Sequence, residues 1–251
     1  MHLSATKAII TGGASGLGEA TARHFRTLGA KVTLLDRDAE RGEALAAEIG
    51  AYFAKTDVTD EASVAAAIDS ATAAMGGLTA AINCAGIAPP AKTLGRDGPH
   101  PLALYQSVVD INLVGSFNVA RLAAEAMAKG APDAGGERGV IINTASIAGF
   151  EGQKGQVAYA SSKGGILGMV LPMARDLARD NIRVMAIAPG IFATPMLKGL
   201  PQDVQDALAK DVTCPQRLGD PLEYAKLAAF IVESGYLNGT SIRIDGALRM
   251  Q

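Results

Sequence analysis

A serine, a tyrosine and a lysine in the middle of the chain have the types and spacing of an acid–base site. Ser146 follows the apolar run Gly139-Val140-Ile141-Ile142, Tyr159 comes thirteen residues later, and Lys163 lies four residues after that. Residues four apart share one face of a helix, so the phenol and the ammonium would lie one turn apart. A free tyrosine titrates near pH ~10. A nearby ammonium lowers that pKa, which would make Tyr159 a general acid and base, and Ser146 could donate a hydrogen bond to a substrate carbonyl.

A tyrosine–lysine pair at this spacing is also common on solvated helix faces, so the pair alone leaves its role open. A second motif near the N-terminus favours the catalytic interpretation. The stretch Thr11-Gly12-Gly13-Ala14-Ser15-Gly16-Leu17-Gly18 lies between an apolar strand at 7–11 and a helical pattern at 19–28. A strand, a glycine-rich turn and a helix form the first half of a nucleotide-binding unit.

Each glycine of this turn has a separate predicted purpose. Gly12 permits the tight turn, Gly16 lets the backbone approach a pyrophosphate, and Gly18 lets the helix pack closely on the strand. The N-terminus of the helix offers free N–H groups and the positive end of its dipole to phosphates.

An acidic residue ends the second predicted strand, 31–35. Asp36 follows Gly18 by 18 positions. A carboxylate here can accept hydrogen bonds from both hydroxyls of the adenosine ribose and repels a 2′-phosphate, so it favours NAD over NADP. Two alternatives remain open: Arg37 could pair with a 2′-phosphate, and Asp36 could instead cap a helix at 37–49.

Further candidate contacts with a nucleotide follow the third and fourth predicted strands. Asp57 could accept a hydrogen bond from the adenine amino group, with Val58 beside it. Small residues after the strand at 78–82 indicate a backbone that lies close to a ligand; they are Cys84, Ala85 and Gly86. Asn112 lies inside an apolar helical pattern at 102–129, so it needs a polar partner and could hold a water that links to Lys163.

An excursion at 191–215 follows the sixth predicted strand and is placed to cover a bound substrate. Within it, Leu200, Val204 and Leu208 share one helix face. That face could pack on the body of the protein or close over an apolar substrate. Lys198 and Lys210 flank the helix and could meet the phosphates of a coenzyme A tail.

About seven strands alternate with helices along the chain. This alternation predicts an α/β fold, a Rossmann-type doubly wound parallel sheet with helices on both faces. No linker, repeat or low-complexity segment interrupts it, so residues 1–251 are predicted to form a single domain.

Composition excludes several classes of protein. Hydrophobic residues make up 49% and charged residues 19% of the 251 residues, with a formal net charge of −2, as expected for a globular protein with a large core. No basic block indicates nucleic acid. Cys84 and Cys214 form no CxxC motif or Cys/His cluster, so we expect reduced thiols and no metal site. The apolar run at 164–174 is shorter than the ~20 residues of a membrane span.

Taken together, the motifs resemble the short-chain dehydrogenase/reductase family. They occur in the family's order along the whole chain: Thr11-Gly12-x-x-x-Gly16-x-Gly18, Asn83-x-Ala85-Gly86, Asn112, Ser146, Tyr159-x-x-x-Lys163 and Pro189-Gly190. The resemblance implies that Tyr159 takes the proton of an alcohol, that Lys163 lowers the pKa of Tyr159 and holds the nicotinamide ribose, that Ser146 positions the substrate oxygen, and that Asn112 completes a water relay. It also implies an NAD-contacting set comprising Gly12, Ser15, Gly16, Leu17, Gly18, Asp36, Asp57, Val58, Cys84, Ala85, Gly86, Tyr159, Lys163, Pro189, Phe192 and Thr194.

Within that family the sequence is most similar to the type 2 group of 3-hydroxyacyl-CoA dehydrogenases. The residues behind this closer match are Ile10–Gly18, Gly139–Ser146, Phe150-Glu151-Gly152-Gln153, Arg217–Pro221 and Ile244–Ala247. The resemblance implies interconversion of (S)-3-hydroxyacyl-CoA and 3-oxoacyl-CoA and a homotetramer. No targeting segment is visible in the sequence, so we expect a cytoplasmic location. A hydroxysteroid or polyol dehydrogenase, a 3-oxoacyl reductase and a non-catalytic NAD-sensing protein stay open as alternatives.

Overall fold

Seven parallel strands form one sheet in the computed structural model, which describes residues 1–198 and 201–250. The sheet order is β3-β2-β1-β4-β5-β6-β7, and the strands are β1 (Lys7–Thr11), β2 (Lys31–Asp36), β3 (Tyr52–Lys55), β4 (Ala80–Asn83), β5 (Gly139–Thr144), β6 (Ile182–Pro189) and β7 (Ser241–Ile244). The order reverses between β1 and β4. Ligands of open α/β sheets bind beyond the carboxyl ends of the strands at such a reversal, so the fold itself indicates where a site lies.

Helices cover both faces of this sheet. They are α1 (Gly16–Thr27), α2 (Ala39–Ile49), α3 (Glu61–Met75), α4 (Leu102–Val109), α5 (Gly115–Ala128), α6 (Ala148–Glu151), α7 (Val157–Asp176), α8 (Pro195–Lys198), α9 (Gln202–Lys210) and α10 (Pro221–Glu233). Short 3₁₀ turns lie at Leu3–Ala5 and Ala178–Asp180, and Leu94–Gly95 pairs with Gly98–Pro99 in a small hairpin. This architecture confirms the predicted Rossmann-type α/β fold.

The central strands are apolar on both faces because both faces are buried. Alternate residues of a strand point to opposite sides, so each strand contributes to two cores. Ile9 and Ile141 pack with α3, α5 and α7 on one side. Ile10 and Ile142 pack with α1, α2 and α10 on the other. The sheet is therefore a rigid partition whose carboxyl edge holds loops from both sides.

Local chemistry sets where several helices begin and end. Asp38 caps α2 by accepting a hydrogen bond from the Arg41 N–H at 3.1 Å. Asp60 caps α3 by accepting a hydrogen bond from the Ala62 N–H at 3.1 Å. The alternative role of Asp36 as the cap of a helix beginning at residue 37 is wrong, because α2 begins two residues later.

A π-helical segment, Asp110–Val114, joins α4 to α5 and interrupts the α-helix that the sequence predicted over 102–129. Such segments insert an extra residue into a helical turn and are frequent at functional sites. Here the segment carries Asn112, whose side chain is fully buried.

Among residues 1–198 and 201–250, no helix combines the length and the apolar character required to cross a membrane.

Candidate active site

A threonine hydroxyl links the loop after the fourth strand to the end of the first strand. Thr11, the last residue of β1, accepts hydrogen bonds at 3.1 Å from the backbone N–H groups of Cys84 and Ala85 through Oγ1. This contact fixes the loop after β4 beside the glycine-rich turn. The family motif begins at Thr11, but no role was predicted for the Thr11 hydroxyl.

The glycine-rich turn is too closely packed for side chains at three of its positions, Gly12, Gly13 and Gly18. Gly12 has φ +61°, and a Cβ there would lie 2.9 Å from the Ala85 backbone nitrogen. A Cβ on Gly18 would overlap the carbonyl oxygen of Gly12. Gly16 also has positive φ, and a Cβ there would lie 3.6 Å from the side chain of Thr194. The turn thus presents backbone to the space in front of α1, where a pyrophosphate would lie.

The N-terminus of α1 and the tip of β2 complete the fit to a dinucleotide. Ser15 is the N-cap residue of α1, but its hydroxyl makes no capping hydrogen bond. Asp36 accepts hydrogen bonds from the backbone N–H groups of Ala14, at 3.0 Å, and Asp38, at 3.1 Å. Leu17 packs against the core beneath the turn. Free helix N–H groups beside a fixed carboxylate are the features that bind pyrophosphate and ribose.

The predicted adenine contacts lie after β3. Asp57 accepts hydrogen bonds from the Thr59 hydroxyl, at 2.7 Å, and from the Thr59 N–H. The hydroxyl bond is the main reason why the pKa of Asp57 lies below its usual range. Arg37 Nε lies 3.8 Å from Asp57 Oδ2, so Arg37 is directed toward a carboxylate. Val58 is nearly buried against Gly115.

Three of the four predicted catalytic side chains lie together beyond β5. Lys163 Nζ lies 5.6 Å from the centre of the Tyr159 ring and donates a 2.6 Å hydrogen bond to the carbonyl oxygen of Thr144. Ser146 Oγ accepts a hydrogen bond from the Ala148 N–H at 3.1 Å and lies close enough to the Tyr159 phenol to influence its pKa. Ser146 and Lys163 are buried, at 5% and 4% exposure.

Burial controls the ionisation of this cluster. It raises the pKa of the Tyr159 phenol, while the hydrogen bond with Ser146 acts in the opposite direction. It also lowers the pKa of Lys163 to about 8, because removing an ammonium from water disfavours its charged form. The net shift of the Tyr159 pKa is therefore upward, and the lowering of that pKa by Lys163 stays a prediction. Nζ lies over the ring face and donates to Thr144 rather than to the phenol oxygen.

Asn112 has the polar partners that its buried position requires. Its Nδ2 donates to the Ile87 carbonyl at 2.9 Å and to Ser162 Oγ at 3.0 Å, and its Oδ1 accepts from the Ile87 N–H at 2.8 Å. A Cβ on Gly86 would lie 3.1 Å from Asn112 Oδ1 and 3.7 Å from Lys163 Nζ. The π-helical segment thus brings Asn112 and Lys163 to the same loop. The water relay stays a prediction.

The remaining predicted contacts lie after β6. Pro189 ends that strand, and its carbonyl accepts from the Ile147 N–H at 3.1 Å. Phe192 is nearly buried, with its ring against Gly219, so its backbone is the part left to meet a ligand. A cavity of about 140 Å³ lies beneath the excursion and is lined by Phe192, Val212 and Ile244 among others, but by none of the catalytic side chains. Leu200 lies outside the described residues, as do the side chains of Met196, Lys198 and Val204.

Comparisons with known proteins agree with this geometry. A sequence profile described as short chain dehydrogenase matches residues 6–205. The chain belongs to the short-chain dehydrogenase family. It is 54% identical over 248 residues to 3-hydroxyacyl-CoA dehydrogenase type-2 of Homo sapiens, which covers 97% of this chain and 95% of that relative. It is 33% identical to the 3-oxoacyl-(acyl-carrier-protein) reductase of Thermotoga maritima, with 99% of both chains covered.

A solved structure extends this similarity to the fold. The crystal structure of 3-hydroxyacyl-CoA dehydrogenase type-2 from Mycobacterium avium matches with a TM-score of 0.94 and 43% identity, covering 98% of this chain and 96% of that chain. This short-chain dehydrogenase is accordingly an oxidoreductase that uses a nicotinamide cofactor.

Two further residues of this short-chain dehydrogenase contact the predicted site without having been predicted. Thr144 holds Lys163 through its carbonyl, and Ser162 links Asn112 to the backbone of Tyr159. A backbone carbonyl carries no sequence signature. Ser162, which lies beside Lys163, could have been suspected from its polarity within an apolar helix.

Proposed function

We propose that this dehydrogenase interconverts (S)-3-hydroxyacyl-CoA and 3-oxoacyl-CoA with NAD, with short to medium acyl chains preferred. The observation that carries the substrate class is the 54% identity, across nearly the whole chain, to a relative named for this activity. The clustering of Ser146, Tyr159 and Lys163 supports the chemistry, because a half-buried phenol and a buried hydroxyl that lie side by side can both reach one carbonyl oxygen.

NAD would be held along the carboxyl edge of the sheet. The turn around Gly12 and Gly16 and the N-terminus of α1 would meet the pyrophosphate, and Asp36 the adenosine ribose. Asp57 and Val58 would flank the adenine, and the loop Cys84–Gly86 the nicotinamide half with Lys163. Bound NAD supplies the acceptor for the hydride that leaves the alcohol carbon.

The proton is handled by the protein. In the oxidation direction, the Tyr159 phenolate takes the proton of the substrate hydroxyl, while Ser146 donates a hydrogen bond to the same oxygen. In the reduction direction, the neutral phenol returns that proton. Burial raises the pKa of Tyr159, which keeps the phenol protonated at neutral pH. Reduction should therefore proceed readily near pH 7, and oxidation should accelerate as the pH rises.

Cofactor preference depends on Asp36. Its two carboxylate oxygens are held by backbone N–H groups at the tip of β2, which supports a fixed negative charge where a 2′-phosphate would lie. Arg37, the residue that could favour NADP, lies near Asp57 instead. Both observations support NAD.

The excursion at 191–215 would cover the substrate. Thr194 lies close to Gly16, so the beginning of the excursion adjoins the cofactor turn. Within it, α9 has acidic Asp203 in its first turn and basic Lys210 in its last. Lys210 is exposed and available to a coenzyme A phosphate.

An initial-rate panel tests the proposal. We expect kcat/KM to be highest for acetoacetyl-CoA with NADH, compared with a ketosteroid, an acyl-carrier thioester and a polyol, each with NADH or NADPH. A preference for the ketosteroid would retain the covering excursion and discard the acyl-CoA substrate. A preference for the polyol would contradict the hypothesis that the excursion places an apolar surface over the substrate.

The 3-oxoacyl reductase is the second candidate, supported by the 33% identity to such a relative over 99% of the chain. This function would require a higher kcat/KM with NADPH than with NADH in the same panel. A non-catalytic NAD-binding role would require the absence of turnover with every substrate despite measurable NADH binding.

We also propose a homotetramer. Several large apolar side chains are exposed, as expected of surfaces that another subunit covers. They include Phe117 on α5, Val157 and Leu171 on α7, and Phe230 on α10. Light scattering at micromolar concentration should give four times the mass of the 25.6 kDa chain. A monomer would reject this assembly.

A cytoplasmic location is proposed on the two cysteines. Cys84 and Cys214 are both free thiols, which suits a reducing compartment. Fractionation of cells that express the native gene should recover the protein with cytoplasmic markers. Recovery with an organelle or the periplasm would contradict the proposal.

A further inference from the structure

A buried polar cluster lies behind Lys163, on the far side of the sheet. Tyr224, near the N-terminal end of α10, is fully buried in the core that α1, α2 and α10 form with the sheet. Its hydroxyl shares a 2.7 Å hydrogen bond with the hydroxyl of Thr144, and both lie 3.6 Å from Cys84 Sγ. A buried hydroxyl without a partner destabilises the fold, so this cluster satisfies Tyr224 where apolar residues surround it.

Thr144 is the residue that joins this cluster to the catalytic side. It is the last residue of β5, and its side chain shares the orientation of Ile142, toward α10. Its carbonyl oxygen, in contrast, accepts the 2.6 Å hydrogen bond from Lys163 Nζ, and Lys163 belongs to α7 on the opposite face. One residue thus contacts Tyr224 through its side chain and Lys163 through its backbone.

Lys163 depends strongly on that carbonyl. Within the described part of the chain it forms no ion pair with a carboxylate, and it is 4% exposed. A buried ammonium with a single protein acceptor takes its direction from that acceptor, since hydrogen bonds to charged groups are stronger than neutral ones. Any rotation of the Thr144 residue would therefore move Nζ.

We propose that Tyr224 is a positioning residue for Lys163, acting across the sheet through the Thr144 hydroxyl. The peptide after Thr144 is already held on its other side, because the Ala145 N–H donates to the Ile187 carbonyl at 2.8 Å. The Tyr224 hydrogen bond holds the Cα end of the same peptide through the Thr144 side chain, so the carbonyl is anchored from both ends. The inference rests on the proposed role of Lys163, but not on the identity of the substrate.

Removing either hydroxyl tests this link. We expect Tyr224→Phe and Thr144→Val each to lower kcat roughly 5–50-fold, since small displacements of a catalytic group are costly. The KM of the carbonyl substrate should change little, because Ser146 and Tyr159 are untouched. The double variant should lose no more than the larger single loss, since both changes break the same bond.

Two controls separate positioning from stability. Ile231 lies on the same helix and in the same core as Tyr224. Ile231→Val should lower the melting temperature without removing a polar group, and it should retain full kcat. Thr144→Ser keeps the hydroxyl and should retain most of the activity that Thr144→Val loses. If Tyr224→Phe does not fold, the Thr144 pair tests the same hydrogen bond from its other end.

The kinetic assay uses whichever carbonyl substrate of the panel is turned over fastest. Full kcat in Tyr224→Phe, or additive losses in the double variant, would overturn the inference while leaving the proposed function intact. Full kcat in Lys163→Met would instead remove the proposed role of Lys163, and with it the basis of the inference.

Discussion

The nucleotide end of the proposed site is shaped by backbone, whereas the catalytic end is formed by side chains. At the nucleotide end, the essential positions are glycines, and the shape comes from backbone: a Cβ on Gly12 or Gly18 would collide with neighbouring main-chain atoms. At the catalytic end, the essential positions are buried side chains, and burial shifts the pKa of both Tyr159 and Lys163. One end is thus limited by space and the other by ionisation.

This difference predicts which measurements each end controls. A change in the glycine turn alters packing, so it should appear in stability and in cofactor affinity. A change at the buried phenol alters only proton transfer, so it should appear in kcat while the fold and the cofactor affinity persist. The predictions below test this division, beginning with the largest expected effect.

The phenol of Tyr159 gives the largest effect. Tyr159→Phe keeps the ring and removes the proton, so kcat should fall by about 10²–10⁴-fold with NADH affinity largely retained. Steady-state kinetics and a binding titration check this. Tyr52→Phe, at a partly exposed tyrosine of β3, serves as the control and should keep normal activity. If Tyr159→Phe kept more than about a tenth of the activity, Tyr159 would not be the acid–base group.

The buried ammonium of Lys163 should cost stability in a pH-dependent way. Its pKa falls from 10.5 to about 8 in the folded protein. Below pH 8 the amine is charged in both the folded and the unfolded protein. Burying this charge then lowers the free energy of unfolding by up to about 3 kcal/mol. Between pH 8 and 10.5 the folded protein releases the proton that the unfolded chain keeps, so stability rises with pH.

Replacing this lysine separates its two effects. Lys163→Met should be more stable than the native protein at pH 7 and should lack this rise in stability between pH 8 and 10.5, although it loses activity. Denaturant unfolding across that pH range measures both. If the free energy of unfolding followed the same pH dependence in the native protein and in Lys163→Met between pH 8 and 10.5, burial would not depress the pKa of this amine.

At the nucleotide end, the tight contact between the helix and the turn should make Gly18→Ala destabilising by about 1–3 kcal/mol, because overpacking displaces the Gly12 carbonyl. Cofactor affinity should fall with it. Gly95→Ala is the matched control, since a Cβ there would lie at an ordinary 3.6 Å from the nearest atom. Thermal unfolding with and without NADH compares the two. Equal stability of the two variants would contradict the tight packing.

The carboxylate of Asp36 should have the smallest effect, and one confined to cofactor choice. A carboxylate beside a phosphate dianion costs about 1–3 kcal/mol, which corresponds to about a 5–150-fold preference for NADH in Kd. Asp36→Ala should narrow that ratio, while Asp38→Ala should leave it unchanged and weaken only the cap of α2. Titration with both cofactors measures the ratios. Equal Kd values in the native protein would refute the assignment.

Strands and glycines were the features most open to prediction. The strand at 7–11 has the predicted ends, and β2 extends one residue beyond the predicted 31–35. The π-helical segment around Asn112 was not predicted, because its extra residue depends on hydrogen bonds to Ile87 and Ser162, distant in the chain. The start of α2 was misplaced because three polar residues, Asp36, Arg37 and Asp38, could each begin a helix.

The sequence by itself determined the fold class and the residue types of the site. Apolar runs of strand length, glycine spacing and the Tyr159–Lys163 interval are local properties, which a linear pattern records directly. Only the tertiary structure decided the ionisation of the site and the position of Lys163. Burial shifts the pKa values of Tyr159 and Lys163. Lys163 donates to the carbonyl oxygen of Thr144, and Tyr224 hydrogen-bonds the hydroxyl of the same threonine from the opposite face of the sheet. The two hydrogen bonds join residues 19 and 80 positions apart, so they form only when α7 and α10 have packed on opposite faces of the sheet.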